Sequence, residues 1–306
     1  MRLPHWKGPA FALTAVLALG CGISSAAEAS GWTTDFAAAK AAAAKDGKDL
    51  LLDFTGSDWC GWCIKLKNEV FDQEAFKKEA PKNFVLVELD FPQQKELPEK
   101  EKAQNEELQK KYAIQGFPSI VLLDSQGRLY ARTGYQKGGP EGYLKHLDEL
   151  RAKRVQRDEA LAKAGKAAGV EKAKLLDQAL TPLHENGALN DYGDLVKQVA
   201  ELDADNKAGL KQKWEGIQRL EELQQIPRST PPDEVLAKVD AYIKDYAPTG
   251  ESKQKVFMMR GAVCGAKGDK AGMSAAFKTA IEAAPDTELG QQLAEYLKKQ
   301  EAGGEK

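Results

Sequence analysis

Short apolar runs typical of buried β-strands occur only in the first half of this 306-residue chain. The runs cover residues 49–54, 84–89, 119–123 and 128–133, and segments with helical spacing precede, separate and follow them. The resulting order of elements, α-β-α-β-α-β-β-α, specifies a mixed sheet with helices on both faces. We therefore predict an α/β domain over residues 30–155.

Two local features of this domain are predicted in more detail. Thr33 or Thr34 can cap the first helix, and Gly47 is well placed to end it. Further along, apolar residues recur on one side of the segment 64–78, which predicts a single helix there.

Strand signals disappear after about residue 155, and the rest of the chain is rich in Ala, Lys, Glu and Gln with helical periodicity. This pattern predicts an all-α domain over residues 156–300 and a disordered tail over 301–306. Within it, segment 257–285 carries Gly, Phe, Ala, Ile and Pro at the offsets of a tetratricopeptide helix pair. We therefore expect a tetratricopeptide-like domain, with Cys264 packed inside it as a small hydrophobe.

The first 29 residues have the pattern of an export signal. A short basic lead precedes an apolar stretch over residues 10–19, and an A-x-A cleavage site ends at Ala29. Residues 1–29 are therefore predicted to be a signal peptide. Alternatively, the residues before Cys21 resemble a bacterial lipoprotein cleavage box, which would make Cys21 a lipid anchor. Both alternatives predict an exported, periplasmic or extracytoplasmic protein.

Charge and cysteine content narrow the function further. A net charge of −2 gives no general electrostatic reason to bind nucleic acid or an anionic membrane. Among the four cysteines, Cys60 and Cys63 form a C-x-x-C pair. Haem attachment would require a histidine at Ile64, and a zinc site would require two further ligands close by. A redox-active dithiol and a structural disulfide both remain possible for this pair.

The position of the pair favours the redox interpretation. Cys60 follows a predicted strand and lies where a helix begins, and the helix N-terminus favours the thiolate, which is the nucleophile in disulfide exchange. Cys63 lies one turn further along the same face, where it can displace a mixed disulfide formed by Cys60. The spacing therefore predicts a nucleophilic and a resolving thiol.

Residues 34–154 resemble the thioredoxin superfamily. The matching segments lie in sequence order before, at and after the cysteine pair: Leu51-Leu52-Asp53-Phe54, Trp59-Cys60-Gly61-Trp62-Cys63, Gly116-Phe117-Pro118 and Gly134. The resemblance implies a thioredoxin-like α/β fold in which Pro118 is cis and lies against the cysteine pair. It also implies that Asp53 is a buried acid that assists proton removal from Cys63. The implied apolar docking surface comprises Trp59, Gly61, Trp62, Phe117 and Gly134.

Several features depart from thioredoxin itself. The dipeptide between the cysteines is Gly-Trp, and one extra residue lies between Asp53 and Cys60. Strand 84–89 lacks the lysine that accompanies the buried acid in thioredoxin, and a polar insert begins near Phe91. These departures look closer to bacterial thioredoxin-like proteins of the cell envelope.

Together these observations predict an enzyme, an extracytoplasmic thiol-disulfide oxidoreductase that needs no bound cofactor or metal. Its expected partners are proteins that carry disulfides or dithiols, together with a redox partner protein. The direction of exchange stays open at this level. The alternative is a non-catalytic adaptor, in which the thioredoxin-like domain is a scaffold and the helical domain binds partners.

Overall fold

The computed structural model describes residues 31–303. The predicted signal peptide and the candidate lipid-anchor residue Cys21 lie outside the described residues. Within them, the order of elements separates a sheet-containing part from an all-helical part. The predicted fold class, a thioredoxin-like α/β part followed by helices, is therefore confirmed.

A five-stranded mixed sheet forms the centre of the first part, in the order β1-β3-β2-β4-β5. β3 runs parallel to both β1 and β2, whereas β4 is antiparallel to β2 and to β5. All seven residues of β2 are buried, as its continuous apolar run requires. The short β1 was not predicted. The strands are β1 (Trp32–Thr33), β2 (Asp49–Thr55), β3 (Phe84–Asp90), β4 (Ser119–Leu123) and β5 (Leu129–Thr133).

Helices cover the sheet. The first begins after Asp35, whose side chain accepts a hydrogen bond of 3.0 Å from the backbone N–H of Ala38. The predicted cap at Thr33 or Thr34 is therefore wrong by one or two residues, whereas Gly47 ends the helix in the left-handed conformation as predicted. The helices of this part are α1 (Phe36–Asp46), α2 (Gly61–Leu66), α3 (Glu74–Asn83), α4 (Glu99–Lys111) and α5 (Gly139–Ala164).

The predicted helix over residues 64–78 is interrupted. After α2 the backbone widens into a π-helical turn, Lys67–Phe71, and Gln73 is extended before α3 begins. Val70 and Phe71 are adjacent and both buried. The same turn carries Lys67, which is exposed and whose ammonium group reaches Glu88 of β3, a contact that simple helical spacing does not predict.

The second part contains α6 (Gly169–Glu185), α7 (Gly193–Leu202), α8 (Leu210–Gln224), α9 (Pro232–Tyr246), α10 (Gly250–Ala266), α11 (Lys270–Ala283) and α12 (Glu288–Gly303). A Cβ at Gly261 of α10 would lie 2.4 Å from the Phe277 ring of α11, so this glycine permits close helix packing. Cys264 is buried in the same pair, as expected. The helical class is confirmed, and its tetratricopeptide likeness stays a prediction.

The two parts are joined without a break in the core. Helix α5 continues through residue 155, and one hydrophobic cluster extends from the sheet to Trp214 of α8. At the junction the buried Arg157 guanidinium binds the Asp124 carboxylate at 2.8 Å and donates to the Tyr192 hydroxyl. The predicted boundary at residue 155 therefore falls inside a helix, and it stays a prediction. None of the helices within residues 31–303 combines the length and apolar character needed to cross a membrane.

Candidate active site at the cysteine pair

The cysteine pair lies just beyond the carboxyl end of β2. Cys60 is the N-cap of α2, and its Sγ accepts a hydrogen bond of 3.2 Å from the backbone N–H of Cys63. The two residues form a disulfide with a Cα–Cα distance of 5.2 Å. The predicted placement at a helix start is therefore present in the fold. Gly61 opens α2, and no atom outside its immediate neighbours lies within 4 Å of where its Cβ would be.

A cis proline lies at the same end of the sheet. The Phe117–Pro118 peptide bond is cis, as the resemblance implied, and it immediately precedes β4. Ser119 pairs with Phe54 near the carboxyl end of β2, so Pro118 and the cysteine loop lie at the same end of these two strands. Gly134 approaches this loop closely, because a Cβ there would lie 3.3 Å from the Pro118 carbonyl oxygen.

Exposed aromatic rings flank the disulfide on two sides. Trp59 is 41% exposed and packs edge-on against Phe117, with ring centroids 5.7 Å apart. Trp62 is 57% exposed and lies 5.2 Å from the Tyr135 ring. Exposed apolar side chains that cluster on one surface often mark a site of interaction with another molecule. The four aromatic residues therefore form a candidate docking surface around Cys60.

One member of this surface, Tyr135, and the neighbouring Lys65 were missed from sequence. Tyr135 directly follows Gly134, and the ammonium group of Lys65 lies 5.0 Å from the Trp62 ring and 5.1 Å from the Tyr135 ring. Lys65 is one turn after Gly61 on the helix that carries the cysteines. An aromatic residue after Gly134 was the available signal, but the pairing with Lys65 depends on the tertiary fold.

The insert after β3 is fastened to the loop that precedes Cys60. The Asp58 carboxylate accepts backbone hydrogen bonds from Gln93 at 2.9 Å and from Gln94 at 2.7 Å. These bonds hold the pKa of Asp58 below its ordinary value. The Trp59 indole N–H also donates to the Phe91 carbonyl oxygen at 2.8 Å. The lengthened loop before the cysteines and the insert after β3 are therefore held together by hydrogen bonds.

Asp53 lies in β2, below the cysteine loop, and is only 6% exposed. Its Oδ1 atom has no hydrogen-bond partner among the described residues. Burial, together with the nearby Glu88 and Asp90 carboxylates and against the opposing effect of Lys67, raises the pKa of Asp53 to about 8. A carboxyl group with this pKa can both donate and accept a proton near neutral pH.

Within residues 31–303 there is no group of three or more His, Cys, Asp or Glu side chains arranged to hold a metal ion. The remaining described cysteine, Cys264, is buried in the helical part. At the site itself, the groups that can react are the Cys60–Cys63 disulfide and the carboxyl group of Asp53.

Comparisons with known proteins agree with this geometry. The family described as a thioredoxin-like domain matches residues 36–151. The disulfide bond reductase DsbH of Chlamydia pneumoniae is 41% identical over 100 residues, which are 33% of this chain and 60% of that protein. The thioredoxin-related protein DsbJ of the same organism is 32% identical over 103 residues, 34% of this chain and 30% of that protein.

The chain therefore spans less than two thirds of the length of either relative. A solved structure of a DsbH oxidoreductase is 37% identical to this chain and has a TM-score of 0.38. The alignment covers 39% of this chain and 82% of the chain in that structure. The family match over residues 36–151 contains strands β2 to β5, the cysteine pair and the cis proline. This part of the chain is therefore a thioredoxin-like domain of the thioredoxin superfamily.

Proposed function

We propose that this protein is an extracytoplasmic thiol-disulfide oxidoreductase that exchanges disulfides with protein partners through Cys60 and Cys63. The observation that carries the proposal is the disulfide at the start of α2. A cis proline lies at the same end of the sheet, and exposed tryptophans lie beside the disulfide. A helix start favours the thiolate form of Cys60. A purely structural disulfide would need neither the exposed rings nor the proline loop.

In the reducing direction, the cycle begins with the dithiol. The Cys60 thiolate attacks one sulfur of the partner's disulfide, forms a mixed disulfide, and releases the partner's other sulfur as a thiolate. Cys63 then gives its proton to the Asp53 carboxylate and attacks the Cys60 sulfur. The Cys60–Cys63 disulfide forms, and the partner leaves with two added electrons. A dithiol donor must reduce the protein before the next turnover.

Asp53 is proposed to manage the proton of Cys63 in both directions. When a donor opens the disulfide, the carboxylic acid form of Asp53 can protonate the departing Cys63 thiolate. When Cys63 must attack, the carboxylate form accepts the proton. Because the pKa of Asp53 is about 8, both forms are accessible near neutral pH. Removal of the Cys63 proton should become faster as the pH rises through 8.

Partner proteins are proposed to bind over the cysteine pair as an extended segment. The backbone beside Pro118 offers hydrogen-bonding groups to such a segment. Trp59, Trp62 and Phe117 would provide apolar contact, while Gly61 and Gly134 leave room for the segment to approach Cys60. We propose that the docking surface implied by the resemblance binds this segment, because its two tryptophans are exposed and Trp59 packs against Phe117.

The proposed direction is reduction, and the proposed location is outside the cytoplasm. One relative with 41% identity over the matched segment carries the name disulfide bond reductase, which favours reduction for this chain. The predicted signal peptide supports export, and the alternative cleavage box at Cys21 would add a lipid anchor. A dithiol reductase in an oxidising compartment needs a redox partner protein that supplies its electrons.

A reductase assay tests the proposal. The purified protein should accelerate dithiothreitol-dependent reduction of insulin, and Cys60→Ser should abolish that acceleration. Cys63→Ser should accumulate a mixed disulfide with the substrate, because the resolving thiol is absent. Cys264→Ser is the matched control and should keep full activity, because Cys264 is buried away from the site. Undiminished activity in Cys60→Ser would reject the assigned nucleophile.

The reduction potential separates this proposal from the adaptor alternative. Exchange proteins lie roughly between −270 and −120 mV, whereas structural disulfides usually lie below about −300 mV. Equilibration with glutathione or dithiothreitol buffers, read by alkylation of free thiols, gives the value. A potential in the exchange range supports an oxidoreductase. A potential below that range favours a scaffold with a structural disulfide.

A further inference from the structure

Asp53 has a second carboxylate directly beside it on the neighbouring strand. Asp53 of β2 and Glu88 of β3 are paired in the parallel register. Paired residues of adjacent strands project to the same face, and adjacent strands are about 4.8 Å apart. Asp53 is buried, whereas the Glu88 side chain keeps 28% of its surface exposed. Two acidic groups therefore share one face of the sheet, one enclosed and one partly open to water.

The cation at this location comes from a different element than in thioredoxin. Strand β3 has no lysine, but Lys67 lies in the π-helical turn after α2, and its ammonium group is 3.3 Å from a Glu88 carboxylate oxygen. Lys67 lowers the pKa of Asp53, and Glu88 raises it. The Lys67–Glu88 pair thus places two opposite charges beside the buried acid.

Titratable or charged groups reach Asp53 from three neighbouring elements, whereas its partner on β4 is the apolar Ile120. Strand β3 contributes Glu88 and Asp90, the π-helical turn contributes Lys67, and α5 contributes Tyr143. Asp90 is engaged by Lys95 at 2.8 Å, and the Tyr143 hydroxyl donates to the Gly134 carbonyl oxygen.

Lys95 and Gly134 both belong to segments that border the cysteine site. Through these contacts, Asp90 and Tyr143 already help to hold those segments in place. Glu88 and Lys67 bind each other, with 3.3 Å between the ammonium nitrogen and a carboxylate oxygen. Their side chains are 28% and 49% exposed, respectively, so both can be substituted without opening the core. The pair is therefore the adjustable part of the surroundings of Asp53.

We propose that Glu88 and Lys67 are positioning residues for disulfide exchange, and that they act with opposite signs on the proton of Asp53. The Glu88 carboxylate favours the protonated acid, and the Lys67 ammonium favours the carboxylate. Neither residue touches the reacting sulfurs. Their balance sets the pH at which Asp53 changes from proton donor to proton acceptor for Cys63. The inference rests on the proposed role of Asp53 in exchange.

The pair also explains how this site functions without a lysine on β3. A lysine on β3 would favour the carboxylate form of Asp53. Here the Lys67 ammonium group binds Glu88, so the Glu88 carboxylate partly cancels its effect on Asp53. Burial is the main cause of the raised pKa, and with the Lys67 charge partly cancelled the acid stays mostly protonated at neutral pH, ready to protonate Cys63 when the disulfide is opened. This charge arrangement suits a protein whose disulfide must be re-reduced in each cycle.

Carbon-13 NMR titration of the Asp53 carboxyl group in the oxidised full chain tests this directly, with Asp53→Asn used to assign the signal. We expect a midpoint near 8 in the unmodified protein. Glu88→Gln should lower the midpoint and Lys67→Met should raise it, each by about 1 pH unit. Lys67→Arg should restore it. Lys82→Gln, which removes a lysine from an exposed pair with Glu79, should leave it unchanged.

The pH profile of insulin reduction gives the functional readout. Its alkaline midpoint should move in the same direction as the NMR midpoint for Glu88→Gln and for Lys67→Met. Shifts of the same sign in both variants, or midpoints unchanged from the unmodified protein, would overturn the inference. Failure of the proposed function is distinguishable, because it appears as absent reductase activity in the unmodified protein whatever the NMR midpoints are. Expected NMR shifts without a matching change in the pH profile would also overturn the assigned role in exchange.

Discussion

The indole N–H of Trp59 donates a hydrogen bond of 2.8 Å to the carbonyl oxygen of Phe91, across 32 residues of sequence. This contact joins the residue before Cys60 to the insert that follows β3. The Phe91 ring also packs against Phe117, with centroids 5.2 Å apart. The cysteine loop, the insert and the cis-proline loop therefore meet in one aromatic cluster. A substitution in one of these three segments should alter the conformation or mobility of the other two.

Removal of that hydrogen bond should loosen the insert. Trp59→Phe keeps an aromatic ring but leaves the Phe91 carbonyl oxygen without its indole donor. We expect backbone amides of residues 91–95 to exchange with deuterium about fivefold to tenfold faster, as the loss of one hydrogen bond implies. Trp62→Phe is the matched control, because Trp62 packs on Tyr135 instead, and exchange in the insert should stay as it was. Equal exchange in both variants would contradict the role of Trp59.

Gly56 determines where the Trp59 ring can lie. A Cβ at Gly56 would be 2.5 Å from the indole ring, which is too close for any real side chain. We expect Gly56→Ala to displace the ring, to destabilise the protein by about 1–3 kcal/mol, and to lower reductase activity several-fold. Tryptophan fluorescence and urea unfolding measure these effects. At Gly193 an added Cβ meets no atom within 4 Å, so Gly193→Ala should be tolerated.

Asp53 should make stability depend on pH. Its pKa is raised from 3.8 to about 8 by burial, so between these values the folded chain holds a proton that the unfolded chain has released. The stabilising contribution of the protonated Asp53 is fully present below about pH 4. It is lost progressively as the pH rises from about 4 through 8. Relative to Asp53→Asn, the unmodified protein should lose on the order of 5 kcal/mol of unfolding free energy between pH 4 and pH 9.

Urea unfolding of the oxidised proteins at several pH values measures this difference. Asp205→Asn is the control, because Asp205 belongs to an exposed ion pair whose side chains are 77% accessible. Its stability should follow the pH curve of the unmodified protein. Parallel curves for Asp53→Asn and the unmodified protein would show that the carboxyl group of Asp53 titrates alike in the folded and unfolded states.

Arg157 should be needed for the junction between sheet and helices. Its guanidinium is 1% exposed and binds carboxylates of Asp124 and Asp158 at 2.8 and 2.6 Å. Arg157→Met leaves the buried Asp124 without its enclosed cation, which should reduce the unfolding free energy by about 3 kcal/mol. Lys207→Met breaks an exposed pair and should cause no measurable change. Equal stability of both variants in chemical unfolding would contradict a structural role for the junction.

Much of the site could be predicted because its signals are local. The C-x-x-C spacing, the preceding strand and the following helix placed Cys60 at a helix start, where it lies in the fold. The Gly-Phe-Pro resemblance identified the cis bond at Pro118. The helix break after Leu66 was not predicted, because a π-helical turn has the same apolar composition as the helix that it interrupts.

By itself, the sequence determined the order of elements, the change from strands to helices and the location of the dithiol. These features depend on residues only a few positions apart, so the periodicity of apolar residues and the spacing of the cysteines are enough to predict them. Only the tertiary structure decided that Lys67 meets Glu88 beside Asp53, that Trp59 holds the insert, and that Arg157 joins the two parts. Such contacts link residues 21 to 33 positions apart, and their energies depend on burial and distance that no local pattern encodes.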